Sequence, residues 1–446
     1  MQQGVVDFIT LGCSKNLVDA ERVMRQLEAA GWTCIHDAEK PKGEICVINT
    51  CGFIGDAKEE SINMILQMAE RKKKGQLREL IVMGCLSERY RAELEAEIPE
   101  VDRYYGKFDY MQLCELLNKD RFAEVTKNKD VHCATFERKL TTPKHYAYLK
   151  ISEGCNRMCS YCAIPLITGR HTSRPKAEIL EEVRWLAAQG VKEINVIAQD
   201  LSSYGLDLGG KRHLLPELID EMAQIEGVAW IRLHYAYPTD FPEELLDVMT
   251  KRANVCKYLD IALQHCTDHM LGLMRRHITS AEQDALIRKI RERVPGICLR
   301  TTLMVGHPGE TEEDFEALKA WVKEMRFERM GCFAYSDEEG TYANLHYKDN
   351  VPEDVKQARA AELMAIQQQI SAELMAQKEG QTERVIIDRK EGDYWVGRTQ
   401  FDSPEVDCET LIDSRISKVK NIKTGEFYNV KIIRAEEFDL YGEIEK

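Results

Sequence analysis

Three cysteines in the stretch EGCNRMCSYC, Cys155, Cys159 and Cys162, follow a C-x3-C-x2-C spacing. Three thiolates within eight residues make a soft donor set suited to iron–sulfur ligation. A zinc site would show a second cysteine pair or histidine partners nearby, and no fourth ligand stands close to this array. Three thiolates on a four-iron cluster leave one iron open, which is useful only if a ligand or substrate binds it. A structural metal knuckle is the alternative, although structural sites are normally closed by a fourth protein ligand.

A second set is dispersed along the chain. TLGC, INTC and VMGC each end an apolar run on a cysteine, at Cys13, Cys51 and Cys85. Alone, the cysteine of VINTCGFI reads as a small buried hydrophobe. In an open α/β sheet, however, ligands bind outside the carboxyl ends of the strands. Three successive strands delivering thiols to that edge place them in one crevice and predict a second three-cysteine cluster with an open iron. Packed thiols are the competing reading. The other nine cysteines (Cys34, Cys46, Cys114, Cys133, Cys256, Cys266, Cys298, Cys332 and Cys408) show no ligand spacing and read as packing residues. Cys266, beside Gln264 and His265, is the one placed to do more.

These thiols need elements to position them. In the first third, GVVDFITLGC precedes the helical DAERVMRQLEAAG, whose Val23, Leu27 and Ala30 recur at i, i+4 and i+7. EICVINTC precedes DAKEESINMILQMAERKKKG, with Ile62, Ile65, Leu66 and Ala69 read as one face, and ELIVMGC precedes SERYRAELEAEIP. Such βα repeats predict an open parallel sheet with helices on both faces over residues 1–125. The polar VTKNKDVHCATFERKLTTPKH reads as a linker, placed at 126–140. Six apolar runs separated by helical segments over 141–372 predict a partial (β/α)6 barrel, with chemistry at the carboxyl ends of its strands. A long helix starts near Pro352. Residues 376–446 change to short alternating strands with Gly, Asp and Asn turns, the pattern of a small all-β barrel. The class is α/β, multidomain.

The bulk numbers agree. At 446 residues the chain suits two or three domains. Its 15 cysteines are an odd, scattered set, which argues for reduced thiols rather than a disulfide framework. No run approaches the roughly 18 apolar residues of a membrane span, and MQQGVVDFIT lacks the basic flank and cleavage site of a signal peptide. These features predict a cytoplasmic protein with no membrane segment. The net charge of −14 disfavours steering toward naked nucleic acid and suits a basic protein partner.

The array Cys155, Cys159 and Cys162, after an apolar strand at the start of a six-repeat barrel, resembles the radical S-adenosylmethionine superfamily. The resemblance implies that S-adenosylmethionine chelates the open iron and that one electron splits its sulfonium C–S bond to give a 5′-deoxyadenosyl radical. It also implies that Tyr161, the aromatic before the last cysteine, lies near the adenine. Two open clusters together with a terminal β-barrel make the whole chain similar to the methylthiotransferases, built from an N-terminal cluster domain, a radical barrel and a TRAM domain. That family implies two [4Fe–4S] clusters, with S-adenosylmethionine as both methyl donor and radical source, and a reductant protein such as flavodoxin.

LGCSKNLVDAE, VINTCGFIGDAKEESI, VIAQDLSSYGLDL, RTTLMVGHPGETEEDF and AYSDEEGT look like the RimO-type branch. That branch implies methylthiolation of the β-carbon of an aspartate in small-subunit ribosomal protein twelve, with that protein or the ribosome as partner. The MiaB-type branch, acting on isopentenyladenosine in tRNA, is the alternative, and a non-catalytic iron–sulfur protein is a third. One departure is Ala262 in DIALQH, where the family usually carries proline; it touches a strand turn more than the chemistry. Residues 377–446 hold twelve Lys/Arg against sixteen Asp/Glu. A barrel gripping RNA phosphates should be basic, so direct nucleic-acid recognition is disfavoured. Position at strand ends makes Gln199, Asp200, Tyr235, Tyr237, Gln264, His265, Glu310, Tyr335 and Ser336 candidates for cofactor or substrate contacts. Of these, Gln199 and Glu310 are assigned to the cofactor together with Tyr161 and Gly306. GHPGE either brings backbone close to the adenosyl group through Gly306 or is a strand-to-helix turn with Glu310 and Glu312 in the first helical turn. His265 and His307 also fit as ordinary hydrogen-bonded histidines.

Overall fold

The computed structural model describes residues 2–109, 111–115, 117, 136–210, 212–417, 419 and 421–445. The boundary placed at 125, the linker stretch 126–135 and Cys133 lie outside the described residues.

Strands β1 (Gln2–Thr10), β2 (Thr33–His36), β3 (Gly43–Thr50), β4 (Glu79–Gly84) and β5 (Arg103–Tyr104) form a parallel sheet in the order β2-β1-β3-β4-β5. Every residue of the central β3 is buried, as a strand covered on both faces requires. Helix α1 (Ser14–Ala29) packs Ala20, Val23, Met24 and Leu27 on one face of the sheet. Helices α2 (Gly55–Lys73) and α3 (Cys85–Glu97) cover the other. The buried stripe of α2 differs from the expected one: Ser61, Ile65, Met68 and Ala69 face inward, while Ile62 and Leu66 are exposed. Ile62 and Leu66 sit one residue, about 100°, around the helix from Ser61 and Ile65. That rotation carries them off the sheet.

The middle of the chain supplies β6 (Tyr146–Lys150), a short ribbon of β7 (Ser152–Glu153) and β8 (Thr172–Ser173), and then β9 (Glu193–Ile197), β10 (Trp230–Ala236), β11 (Val255–Ile261), β12 (Cys298–Val305) and β13 (Arg329–Ala334). Six of them form an all-parallel open barrel in the order β13-β12-β11-β10-β9-β6. Its core is mostly aliphatic, with Phe315, Trp321 and Phe327 among the aromatic residues, and is continuous with the intervening helices. Helix Glu353–Ala376 starts after Pro352, whose fixed φ suits a helix start.

The tail closes into a five-stranded barrel from β14 (Thr382–Glu391), β15 (Tyr394–Thr399), β16 (Glu409–Asp413), β17 (Phe427–Ala435) and β18 (Asp439–Ile444). Burial alternates along β16, β17 and β18, whereas β14 and β15 bury consecutive residues. The five-residue β16 lies outside the four runs read from the sequence, although its Thr410 and Ile412 alternate inward.

The two outer domains take opposite ends of the central barrel. Glu193, which opens β9, is gripped by Arg232 at 2.9 Å and by Arg398 of the terminal barrel at 2.8 Å. Burial opposes its ionisation, but the two guanidiniums outweigh that and hold the carboxyl below its usual range. The loop after β15 adds Asp402 to Arg329 at 2.6 Å, and Asp407 accepts from the Tyr258 hydroxyl at 2.8 Å. At the other end, α1 pairs Asp19 with Lys150, the last residue of β6. Among the described residues no helix is long and apolar enough to cross a membrane. Glu193→Gln leaves two guanidiniums in the interior short of a counter-charge. It should cost about 3–5 kcal/mol, read as a lower urea midpoint.

Candidate iron–sulfur and substrate site

Cys51 and Cys85 directly follow β3 and β4, and Cys13 follows β1 after Leu11 and Gly12; the three strands are neighbours in the sheet. Glycines let the three turns converge. A Cβ on Gly12, whose φ is +92°, would stand 2.8 Å from Cys51 Cβ, and one on Gly52 would stand 2.7 Å from the Leu86 nitrogen. Asn16 ties the turns together by donating from Nδ2 to the carbonyls of Leu11 at 3.1 Å and Thr50 at 3.0 Å. Its own carbonyl accepts from Asn49 Nδ2 at 2.8 Å. Cys85 Sγ lies 3.5 Å from Asn16 Oδ1.

Burial drives the Cys51 thiol up and the Cys85 thiol up to about 12, and the neighbouring thiols add to both shifts. Cys13 goes the other way. Burial among protein atoms resists its ionisation, yet Lys15, Lys107 and the backbone N–H groups of Asn16 and Lys15 hold it below the usual thiol value. The three thiols thus share one electrostatic neighbourhood, and soft donors whose ionisation is mutually opposed suit a cationic iron–sulfur core. Among the described residues no three His, Cys, Asp or Glu side chains are close enough together to hold a single metal ion.

The second triad lies on the loop between β7 and helix Ile164–Thr168. Met158 holds a left-handed φ of +53° between the first two cysteines, and the Cys162 N–H donates to the Cys159 carbonyl at 3.1 Å. Cys159 is the best supported. Arg276 donates to its Sγ at 3.3 Å and to the Tyr161 hydroxyl at 3.2 Å, and the Tyr237 hydroxyl is 3.4 Å from the same sulfur. Both guanidiniums of Arg276 and Arg157 lie against the Tyr237 ring, at 4.0 and 4.4 Å from its centroid. Arg157 is held in turn by Asp200 at 2.7 Å. Burial raises the Cys155 thiol to about 11 and pushes Cys162 higher still, and the Cys159 sulfur adds to both shifts. Donors aimed at Cys159 sulfur are what a ligand thiolate requires.

The two triads meet across one seam. Cys85 forms a small apolar cluster with Ala163, which directly follows Cys162, and Ile167, on the helix after it. Glu338, beyond β13, binds Lys58 at 2.8 Å and Arg89 at 2.9 Å, both from the N-terminal domain, and accepts from Ser336 at 2.9 Å. A cavity of 770 Å³ opens here. Phe53 to Asp56, just past Cys51, form one wall; Tyr161, Gln264, Met304 and Tyr335 stand among the barrel residues opposite.

The structure distributes the expected site residues unevenly. Tyr161 lines the cavity and meets His307 edge-on, with centroids 6.3 Å apart. Gln199 is drawn to Glu153, donating from Nε2. Burial resists ionisation of Glu153, but Lys150 and Lys107 hold it down at about 2. Gly306 has a φ of +74° and donates its N–H to Glu310 at 2.6 Å. The other contacts of Glu310 are Arg359 at 2.6 Å and His265 at 3.3 Å. GHPGE forms the turn from β12 into the next helix, which Thr311 caps, so Glu312 lies in the first helical turn but Glu310, expected there too, precedes the cap. His307 is driven down to about 4 by burial and lies 3.0 Å from Ser160 Oγ, so the neutral ring braces the cysteine loop. Cys266 is buried in the main core, whereas Cys332 lines the cavity. Arg276, Lys15 and Glu338 stand outside the residues read as candidates. Single charged side chains carry no spacing signal, and Arg157 had one only as part of the cysteine array.

Three family models match: the Radical SAM superfamily over residues 149–322, the Uncharacterized protein family UPF0004 over 5–106, and the TRAM domain over 380–444. Curated relatives named "Ribosomal protein uS12 methylthiotransferase RimO" align along the whole chain. Those of Bacteroides fragilis and Bacteroides thetaiotaomicron are 62% identical, covering 100% of this chain and 100% and 99% of their own lengths. That of Flavobacterium johnsoniae is 54% identical, over 99% of this chain and 98% of its own. The chain belongs to the RimO family. It is a radical S-adenosylmethionine methylthiotransferase.

Among solved structures, the radical S-adenosylmethionine methyltransferase TsrM from Kitasatospora setae superposes with a TM-score of 0.53 at 16% identity, over 74% of this chain and 72% of that one. The cobalamin-dependent enzyme OxsB gives 0.52 at 12% identity, over 79% and 56%. These likenesses concern the fold. The superfamily match fits the cysteine array to iron–sulfur and S-adenosylmethionine chemistry.

Glu338→Gln weakens two ion pairs across the seam without touching either core. Hydrogen exchange should rise several-fold around residues 52–58 and 336–342, while the barrel strands keep their protection. Unchanged exchange at the seam would show that Glu338 does not hold it.

Proposed function

We propose that this protein inserts a methylthio group at the β-carbon of an aspartate in small-subunit ribosomal protein uS12. In this reading Cys13, Cys51 and Cys85 hold one [4Fe–4S] cluster, and Cys155, Cys159 and Cys162 hold a second. The observation that carries it is the packing of Cys85 on Ala163 and Ile167, which sets one thiol triad beside the other. A sulfur-bearing group and a radical source that act on the same carbon must share one chamber.

When bound, the clusters and S-adenosylmethionine supply the one-electron chemistry, the sulfur and the methyl group. The chain's own residues bind, orient and exclude. Arg276 and Tyr237 stabilise negative charge on the Cys159 sulfur. Tyr161 presents a ring to the cavity, and Gln264 stands beside it with a left-handed φ of +72°, a backbone conformation that marks functional sites. Phe53, Phe333 and Tyr335 line the chamber with aromatic surface that keeps water from a reactive carbon.

Two points favour uS12 over tRNA. Relatives at 54–62% identity carry the uS12 name, and residues 377–446 are acidic overall, which suits a basic ribosomal protein. The ribosome as docking platform, a flavodoxin-type reductant and a cytoplasmic site of action complete the reading.

Mass spectrometry of uS12 and of bulk tRNA from cells lacking the gene tests it. Loss of the methylthio group from uS12 is expected; loss from tRNA alone overturns the assignment. In the reconstituted protein, Cys51→Ala should abolish sulfur transfer, leave S-adenosylmethionine cleavage largely intact and lower the iron content by about half. Cys159→Ala should abolish both activities.

A further inference from the structure

Lys15 is the second residue of α1, two positions after Cys13, and it is only 8% exposed. Its ammonium leaves the N-terminal domain and enters the barrel mouth, 3.4 Å from the centroid of the Tyr235 ring. Among the described residues no carboxylate lies within ion-pair distance of it. The nearby acids are committed elsewhere: Asp19 to Lys150 and Lys107, Glu21 to Arg138, and Asp260 to Arg300.

An enclosed cation without a counter-charge is costly. An aromatic face offsets only part of that cost. The helix start adds to the imbalance, because the first turn of α1 carries the positive end of the macrodipole and no acidic residue. Tyr235, the partner ring, is itself unusual. It lies at the carboxyl end of β10 with a left-handed φ of +64° and is 36% exposed. Two independent features, the unpaired ammonium and the helix start, therefore converge on a place for one anion beside Cys13, where the start of α1 meets Tyr235 of the barrel.

We propose that Lys15 anchors the carboxylate of the aspartate that is modified. The inference rests on the uS12 reading. An aspartate carboxylate is one bond from its β-carbon, so a charge-assisted hydrogen bond from Lys15 fixes the carbon to be functionalised beside the Cys13 turn. The same bond sets specificity. A neutral base in this position would leave the ammonium unpaired, whereas an acidic side chain completes it.

The test is a double-mutant cycle on the cluster-loaded protein, with binding as the readout. Affinity is measured for a uS12 peptide bearing the target aspartate and for the same peptide with asparagine there, using wild type and Lys15→Met. Each single change should weaken binding roughly ten- to hundredfold, and the two together should weaken it no further than either alone. Multiplying losses, or a Lys15→Met protein that binds the natural peptide like wild type, overturns the proposal. A Lys15→Met protein that keeps its peptide affinity but loses iron would mean that Lys15 serves the cluster instead, and likewise overturns it. Wild type alone gives a second measurement that needs no variant: equal affinity for the two peptides is also fatal. Failure of wild type to modify uS12 at all would sink the functional reading, which is a separate result.

Discussion

The contact between Cys85 and the pair Ala163 and Ile167 is the constraint from which the arrangement follows. One side chain belongs to the carboxyl edge of an open sheet and the other two to the helix that closes the radical cysteine loop. Pressing these surfaces together brings Cys85 of one thiol triad against residues that follow Cys162 of the other, beside a cavity walled by both domains. Glu338 reinforces the seam with charge from Lys58 and Arg89, and these ion pairs are largely shielded from solvent. A buried, doubly paired carboxylate resists separation far more than a surface ion pair does.

The terminal barrel is seated by the opposite end of the same central strands. Glu193, Arg232, Arg329 and Tyr258 all meet it near the strand starts. The chemistry end is thereby left to the N-terminal domain. A parallel barrel makes this division natural, because all strands point the same way and its two rims differ in kind.

Much of this was legible in the residues. Parallel βα repeats, six barrel runs and a change to period two marked the three regions, because period and turn residues are local properties. The cysteine array was legible for the same reason. The stripe of α2 was not: Ile62 and Leu66 are as apolar as Ile65, and only the sheet beneath the helix decides which side is buried. The short β16 escaped because closure of a barrel depends on neighbours far away in sequence. The bonds of Glu310 to Gly306 and Arg359 were not legible either, because they join residues that only folding brings together.

The sequence by itself determined the donor chemistry, the order of the domains and the family, since residue type and spacing carry all three. Only the tertiary structure decided the strand order that makes β1, β3 and β4 neighbours, on which the shared surroundings of Cys13, Cys51 and Cys85 depend. It alone brought Arg276 to the Cys159 sulfur across 117 residues and set Lys15 on Tyr235 of another domain. Charge–sulfur and cation–ring contacts act through space over a few ångströms, and no periodicity along a chain encodes a distance that folding has yet to create.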